Sequence, residues 1–301
     1  MNSLYEDFHR FALLQLKSGD VDPAGPVLRY LFQKNGLTRE RRMWFTLVYV
    51  AYYDIASAVY FYREEGWTSG DTLPKGPDRR CLRPKGFMDR HLASYGRFIT
   101  KYGGIENWLT TDFTGNEIED WHILRKAFEE VAYNGRWASY KLAKMFRKLH
   151  DLPVVVPDLG HKNSSGPRQG LGLLFSDLPE GNDPWDLATL DEVSTRLHER
   201  LKSDGLDIDL GTLETILCNF AGLYKGRFYV GRNIDRMQSQ VLDSPVRSSV
   251  EKDIFEAREK VLARGYLGEL NGWDGIRSSL EKVYKEYKLV TDTEKNESTI
   301  Y

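Results

Sequence analysis

"GRWASYKLAKMFRKLHDLPVVVPDLGH", residues 135–161, decides how the rest of the chain is read. A glycine opens a helix that carries Arg136, Lys141, Lys144, Arg147 and Lys148 and no acid, so it reads as a cationic, exposed helix. An apolar run bounded by Pro153 and Pro157 follows, and then Asp158, Gly160 and His161. A lone carboxylate after a basic helix has two readings. It is a turn residue capping the next backbone amide, or an acid held beside a polyanion for chemistry.

Outward from this stretch the spacing stays helical. Residues 3–18 and 24–34 read as amphipathic helices, with "LLQL" and "VLRYLF" as buried stripes. Residues 38–64 form one long apolar and aromatic segment behind Thr38, in residue types that also suit strands. Residues 88–102 and 117–134 read as helices joined by the turn "YGGIENWL", and 69–87 as a Gly-, Pro- and Arg-rich loop. Residues 151–172 are expected to be irregular, with "SSGPRQGLG" marking flexible backbone. Helices are predicted again over 189–203, 209–225, 232–242, 246–264 and 275–288. With no alternating strand series and no internal repeat, the fold class is mainly α. Residues 1–290 are expected to form one helical domain, or two lobes flanking a cleft, with 291–301 a frayed tail.

The chain of 301 residues is 41% hydrophobic and 29% charged, as in ordinary globular proteins, but 13% aromatic, with 17 Tyr and 7 Trp. No apolar run is long enough to span a bilayer, and "MNSLYEDFHRFALL" is not a secretory signal, so no membrane partner is expected. Cys81 and Cys218 make neither a disulfide framework nor a metal spacing, which suits a reducing cytoplasm. The net charge of −2 conceals basic clusters over 75–90, 136–148 and 224–236, against acids gathered in 176–192. Cations interleaved with Trp and Tyr suit a nucleic-acid surface; solvated helix faces are the plainer reading of each cluster. Walker A, Rossmann, G-x-S-x-G and H-E-x-x-H motifs are all absent, and no protein-bound metal is expected.

The order glycine, basic helix, apolar link, Asp and His resembles the helix–hairpin–helix DNA glycosylase superfamily, with Asp158 where its catalytic Asp stands. Two departures are plain: the hairpin glycines reduce to Asn134-Gly135, and "KNSSG" precedes Pro167-Arg168. Over most of the chain, "WFTLVYVAYYDIASAVYF", "YGGIENWL", "GRWASYKLA" and "LETILCNFAGLYKGRFYVGRNIDR" resemble the phage alpha-glutamyl/putrescinyl thymine pyrophosphorylases, also called amino acid:DNA transferases. That resemblance implies an enzyme in the cytoplasm of an infected bacterial host. It would act on double-stranded phage DNA carrying modified uracil. It would replace the pyrophosphate of 5-(pyrophosphoryloxymethyl)uracil with a small amine: glycine, glutamate or putrescine. A DNA glycosylase using Asp158, or a helical DNA-binding module without catalysis, are the alternatives.

The chemistry implied breaks a C–O bond at the methylene on uracil C5. A carboxylate such as Asp158 would stabilise the developing positive charge or take the proton of the incoming ammonium. His161 would carry a proton or bind phosphate, and Glu214 would hold the ammonium or assist catalysis. Lys162, Arg168, Lys225, Arg227 and Arg232 are the candidates for the departing pyrophosphate. The glycines around the last three would let backbone approach it. Mg²⁺ accompanying that pyrophosphate is the only cofactor for which there is a chemical reason. Gly135, Arg136, Trp137, Tyr140, Lys141 and Lys144 are candidates for DNA. Trp137, Tyr140, Trp44, Tyr49 and Tyr53 could stack an extruded base, most of the aromatics over 44–62 being core. Cys218 shares a helix face with Glu214, as a nucleophile at C6 or an inert thiol. Asp235 pairs with Arg236 at the surface, or binds the amine or Mg²⁺.

Overall fold

A computed structural model describes residues 4–64, 70–76, 86–160, 165–175 and 187–262. Among these residues there are helices and no strand. In chain order they are α1 (Leu4–Ser18), α2 (Ala24–Lys34), α3 (Arg39–Tyr52), α4 (Ile55–Arg63), α5 (Phe87–Tyr102), α6 (Ile105–Thr110) and α7 (Glu117–Glu129). Then come α8 (Arg136–His150), α9 (Gly166–Leu174), α10 (Leu187–Ser203), α11 (Leu210–Tyr224), α12 (Arg232–Leu242) and α13 (Arg247–Val261). The expected helix 275–288, the tail 291–301, most of the 69–87 loop and Cys81 lie outside the described residues.

The chain divides into two compact units. One comprises residues 1–23, 158–236 and 262–301; the other comprises 24–157 and 237–261. The first is built on α1, α9, α10 and α11, whose apolar faces meet around Phe8, Phe11, Leu171, Phe175, Leu197, Leu217 and Phe220. Phe8 meets Phe220 edge-on at 5.1 Å. In the second, α3 packs on α4 and α8, α7 on α8, and α13 on α2 and α4.

Three local expectations change. The segment 38–64 is two helices, not one. Thr38 Oγ1 accepts from Arg41 N and starts α3, and Tyr53 ends it in the left-handed region at φ 50°. Asp54 then accepts from Ser57 N at 2.9 Å and starts α4. The strained Tyr53 backbone is latched from outside: its carbonyl accepts from Gln240 Nε2 at 3.1 Å, and Gln240 Oε1 accepts from Ile55 N at 3.2 Å. Gly76 lies so close that an added Cβ would stand 2.1 Å from the Tyr53 oxygen.

The turn "YGGIENWL" contains α6. The Glu40 carboxylate caps it, accepting from Ile105 N at 3.0 Å and Glu106 N at 3.2 Å, and Gly104 at φ 150° makes room for it. The stretch "GPRQGLGLL", expected to be flexible, is α9. Gly166 and Gly170, four residues apart, face α11, where a Cβ would meet Cys218 Sγ at 2.4 Å or the Leu217 carbonyl oxygen at 2.6 Å. These glycines permit close helix packing.

Helix α8 is not the exposed cationic helix its charges suggested. Ala138, Ser139, Tyr140, Leu142 to Phe146, Leu149 and His150 are buried, and of its cations only Arg136 is fully exposed. Its lysine stems lie along aromatic rings, an arrangement composition alone does not reveal.

Candidate functional site

In the unit of residues 24–157 and 237–261, α7 and α8 are antiparallel neighbours in sequence, joined by the turn 130–135. Helix α5 holds that turn. The His91 ring Nδ1–H donates to the Ala132 carbonyl at 2.7 Å, Ala132 N donates to Ser94 Oγ at 3.0 Å, and Asn134 Nδ2 donates to Tyr95 Oη at 3.1 Å. Tyr133 stands exposed at φ 69°. Gly135 leads into α8 with extended backbone and no side-chain cap.

On α8 the candidates separate. Trp137 lies edge-on to Tyr53 at 5.0 Å, Lys141 Nζ sits 5.7 Å from the Tyr53 ring centre, and Tyr49 lies 5.8 Å from Tyr53. The structure thus brings together Tyr53, Trp137 and Lys141, all half-buried, beside exposed Arg136 and buried Tyr49. Tyr140 and Lys144, each 6% exposed, belong to the interior. Tyr140 is edge-on to Trp121 at 5.5 Å, with Lys144 Nζ 5.5 Å from its ring. Neither presents itself to a duplex backbone. Trp44 is part of a different cluster, edge-on to Tyr95 at 6.4 Å.

In the other unit, Asp158 stands half-buried just before Leu159, which is anchored in the core. Its Oδ1 accepts from Gly160 N at 2.5 Å, and Gly160 turns at φ 66°. The capping role expected of a turn aspartate is therefore real, and it also fixes the carboxylate's rotamer. His161 and Lys162 lie outside the described residues.

Arg168, half-buried on α9, makes no hydrogen bond or ion pair among the described residues, and its Nε is enclosed without a partner. Its neighbour Gln169 accepts from Lys225 Nζ at 2.5 Å, which ties the end of α11 to α9. Glu214 and Cys218 do share a face: Cys218 Sγ–H donates to Glu214 Oε1 at 3.5 Å, and Thr215 Oγ1 donates to Oε2 at 3.1 Å.

In the loop after α11, Arg227 is exposed and Arg232 half-buried. Gly226 and Gly231 take φ 65° and 98°. Gly226 lies just past the α11 C-cap, and Arg227 N bonds back to the Gly222 carbonyl at 2.8 Å. The positive φ of Gly226 is thus accounted for by the helix end itself. Asp235 is a further correction. It is 2% exposed and accepts from Tyr229 Oη at 2.7 Å, so it is neither a surface partner of Arg236 nor an acid open to an amine. No cluster of three or more metal-binding side chains occurs among the described residues.

Residues missed in the sequence lie under this loop. Asp20 is fully buried, its Oδ2 accepting from Gln15 Nε2 at 2.9 Å and its Oδ1 from Ile234 N at 2.9 Å. Its carbonyl accepts from Asn233 Nδ2 at 2.7 Å, and Gln15 Oε1 accepts from Asn219 Nδ2 at 2.8 Å. Burial pushes the Asp20 carboxyl up to about 7. Desolvation, with Arg236 close by, lowers the Arg232 guanidinium; Tyr229 and Asp20 raise it. The available signal was Gln15, a polar residue inside the apolar stripe of α1.

Among the described residues the elements are helices only, with an aromatic and cationic helix face in one unit and a turn-held carboxylate in the other. A family model described as amino acid:DNA transferase matches residues 17–226, and the chain belongs to that family. It is a transferase whose substrates are DNA and an amino acid. Among curated proteins nothing matches it. No helix among the described residues is long and apolar enough to cross a membrane.

Proposed function

We propose that this transferase acts on phage DNA in the infected host's cytoplasm, exchanging the pyrophosphate of 5-(pyrophosphoryloxymethyl)uracil for an amine. The amine is an amino acid such as glycine or glutamate, or putrescine. The C–O bond at the C5 methylene breaks, its electron pair leaving on pyrophosphate. The lone pair of the free amine forms the new C–N bond, and the ammonium proton passes to a base.

The observation that carries the reading is that the unit holding Asp158 also holds cations without a carboxylate partner among the described residues. Within its own unit a carboxylate is oriented by the Gly160 amide, while Arg168, Lys225 and Arg227 have no carboxylate partner among the described residues. Cations without counter-ions suit a polyanionic leaving group, and Arg168 can offer two parallel N–H groups to a phosphate. Asp158 takes the ammonium proton or shields the charge developing at the methylene. The α7–α8 hairpin, read as glycosylase-like, grips a phosphate through the amides before Ser139 and through Arg136. Within the same unit as that hairpin, Trp137 and Tyr53 offer rings on which a nucleobase can stack.

Mass spectrometry of nucleosides from pyrophosphorylated DNA, incubated with the protein and a panel of amines, tests this. An aminomethyl-uracil adduct with released pyrophosphate supports it. Abasic sites without amine dependence would sink it.

A further inference from the structure

We propose that Tyr133 is a wedge: its ring enters the base stack of DNA beside a displaced base and fills the gap. The inference rests on the reading of the α7–α8 hairpin as the element that grips DNA.

Among the described residues three other than glycine have positive φ: Tyr53, Tyr133 and Asp151. Tyr53 and Asp151 are the C-caps of α3 and α8, where a left-handed residue closes a helix. Tyr133, at φ 69°, closes none, since α7 ends at Glu129 with Glu130 as its cap. A bulky side chain in this region is strained, and Gly or Asn would sit there at less cost. The ring gains little burial in exchange. At 43% exposure, Tyr133 is the one aromatic among the exposed large hydrophobic residues described.

The fold nonetheless fixes the turn on both sides of it. Ala132 is held through its carbonyl by His91 and through its amide by Ser94. Asn134 Nδ2 donates to Tyr95 Oη at 3.1 Å and to the Phe128 carbonyl at 3.0 Å, and Asn134 N donates to the Val131 carbonyl at 3.0 Å. Strain held this firmly marks a position kept for contact, not for packing.

The surroundings suit DNA, which is a substrate of the family. Phe87, at the start of α5, meets the Tyr133 ring edge-on at 4.9 Å and supports it from the side. Arg90 lies over Phe87 at 5.5 Å, and Arg136 opens α8 just after the turn; both arginines are exposed. Such cations meet backbone phosphates, while the ring reaches the bases. An aromatic ring has the thickness of a base and stacks on its neighbours, which offsets the cost of parting them.

The test compares two synthetic duplexes of one sequence, one intact and one with a single abasic gap, in fluorescence-anisotropy titrations. In the gapped duplex the wedge enters without parting stacked bases. Wild type and Tyr133→Phe should bind it roughly tenfold more tightly than the intact duplex. Tyr133→Gly suits φ 69° and so keeps the turn, and it should bind both duplexes equally. A gap preference undiminished in Tyr133→Gly, or absent from the wild type, overturns the inference. Arg136→Ala should weaken both complexes alike. If it does so while Tyr133→Gly keeps the preference, the hairpin still grips DNA and only the wedge fails. If Arg136→Ala binds as the wild type does, the reading of the hairpin fails as well.

Discussion

At Asp158 one side chain carries two duties. Its Oδ1 closes the turn onto Gly160 N, and the same contact aims the carboxylate. Asp158→Asn keeps an oxygen for that amide and removes only the charge, so it isolates chemistry from structure. Turnover should fall on the order of 10²–10⁴ with DNA affinity retained. Single-turnover rates near wild type in a folded Asp158→Asn protein would exclude Asp158 from the reaction. On the proposed assignment of Arg232 to the leaving group, Arg232→Ala should likewise depress saturated turnover more than DNA affinity. The opposite split, weaker DNA binding with turnover intact, would reassign it to phosphate positioning.

Helix α8 shows how one element divides its charges by face. Lys141 lies over Tyr53 at the half-buried edge, whereas Lys144 lies over Tyr140 in the interior. Lys141→Ala should therefore lower the slope of log K against log salt for DNA by about one unit. Lys144→Ala should leave that slope unchanged and lower the unfolding midpoint, through loss of its packed stem. A salt titration of both variants beside their denaturation curves separates the two. The α9–α11 contact is a second element-scale device. Gly166→Ala drives a methyl into Cys218 Sγ, 2.4 Å from the ideal Cβ position, and should destabilise by roughly 1–3 kcal/mol. Cys218→Ala should restore most of this. Denaturation of the single and double variants checks it, and full activity in Cys218→Ala would show that the thiol is not a nucleophile.

Over the whole molecule, two buried groups act against each other across overlapping pH ranges. His150 stacks on Phe32, bonds to Thr46 Oγ1 at 2.8 Å, and is held down to about 3 by burial and by Arg39, Arg42 and Arg29. The unfolded chain protonates this histidine near 6.5 and the native state does not, so its stabilising contribution is lost as pH falls from there toward 3. Asp20 works the other way. Its carboxyl is raised from 3.8 to about 7, so the native state binds the proton more tightly, and stability falls as pH rises between those values. The two windows overlap and the contributions oppose each other, so unfolding midpoints of the wild type should stay nearly level between about pH 4 and 6.5. In Asp20→Asn the histidine acts alone, and the midpoint should rise with pH over that range. A profile that Asp20→Asn leaves unchanged would place the titration elsewhere.

What the sequence by itself determined was the periodic part. Apolar spacing located most helices to within a few residues, because each helix must bury a continuous stripe whatever it packs against. Motif resemblance was enough for the family, since Gly135, Asp158 and the "GLYKGRFYVG" segment are local in the chain. The tertiary structure decided everything that depends on a distant neighbour. The break at Tyr53 rests on Gln240 and Gly76, and α6 on Glu40. Helix α9 forms where glycines looked like slack, because Leu217 and Cys218 leave no room for a side chain. Tyr140 is buried against Trp121 of α7, Lys144 over the Tyr140 ring and Asp235 under Tyr229, and the Asp20 network joins α1, α11 and α12 across more than two hundred residues of chain. A side chain's type is written locally, but its solvation, and with it its charge and reactivity, is set by whatever the fold places around it.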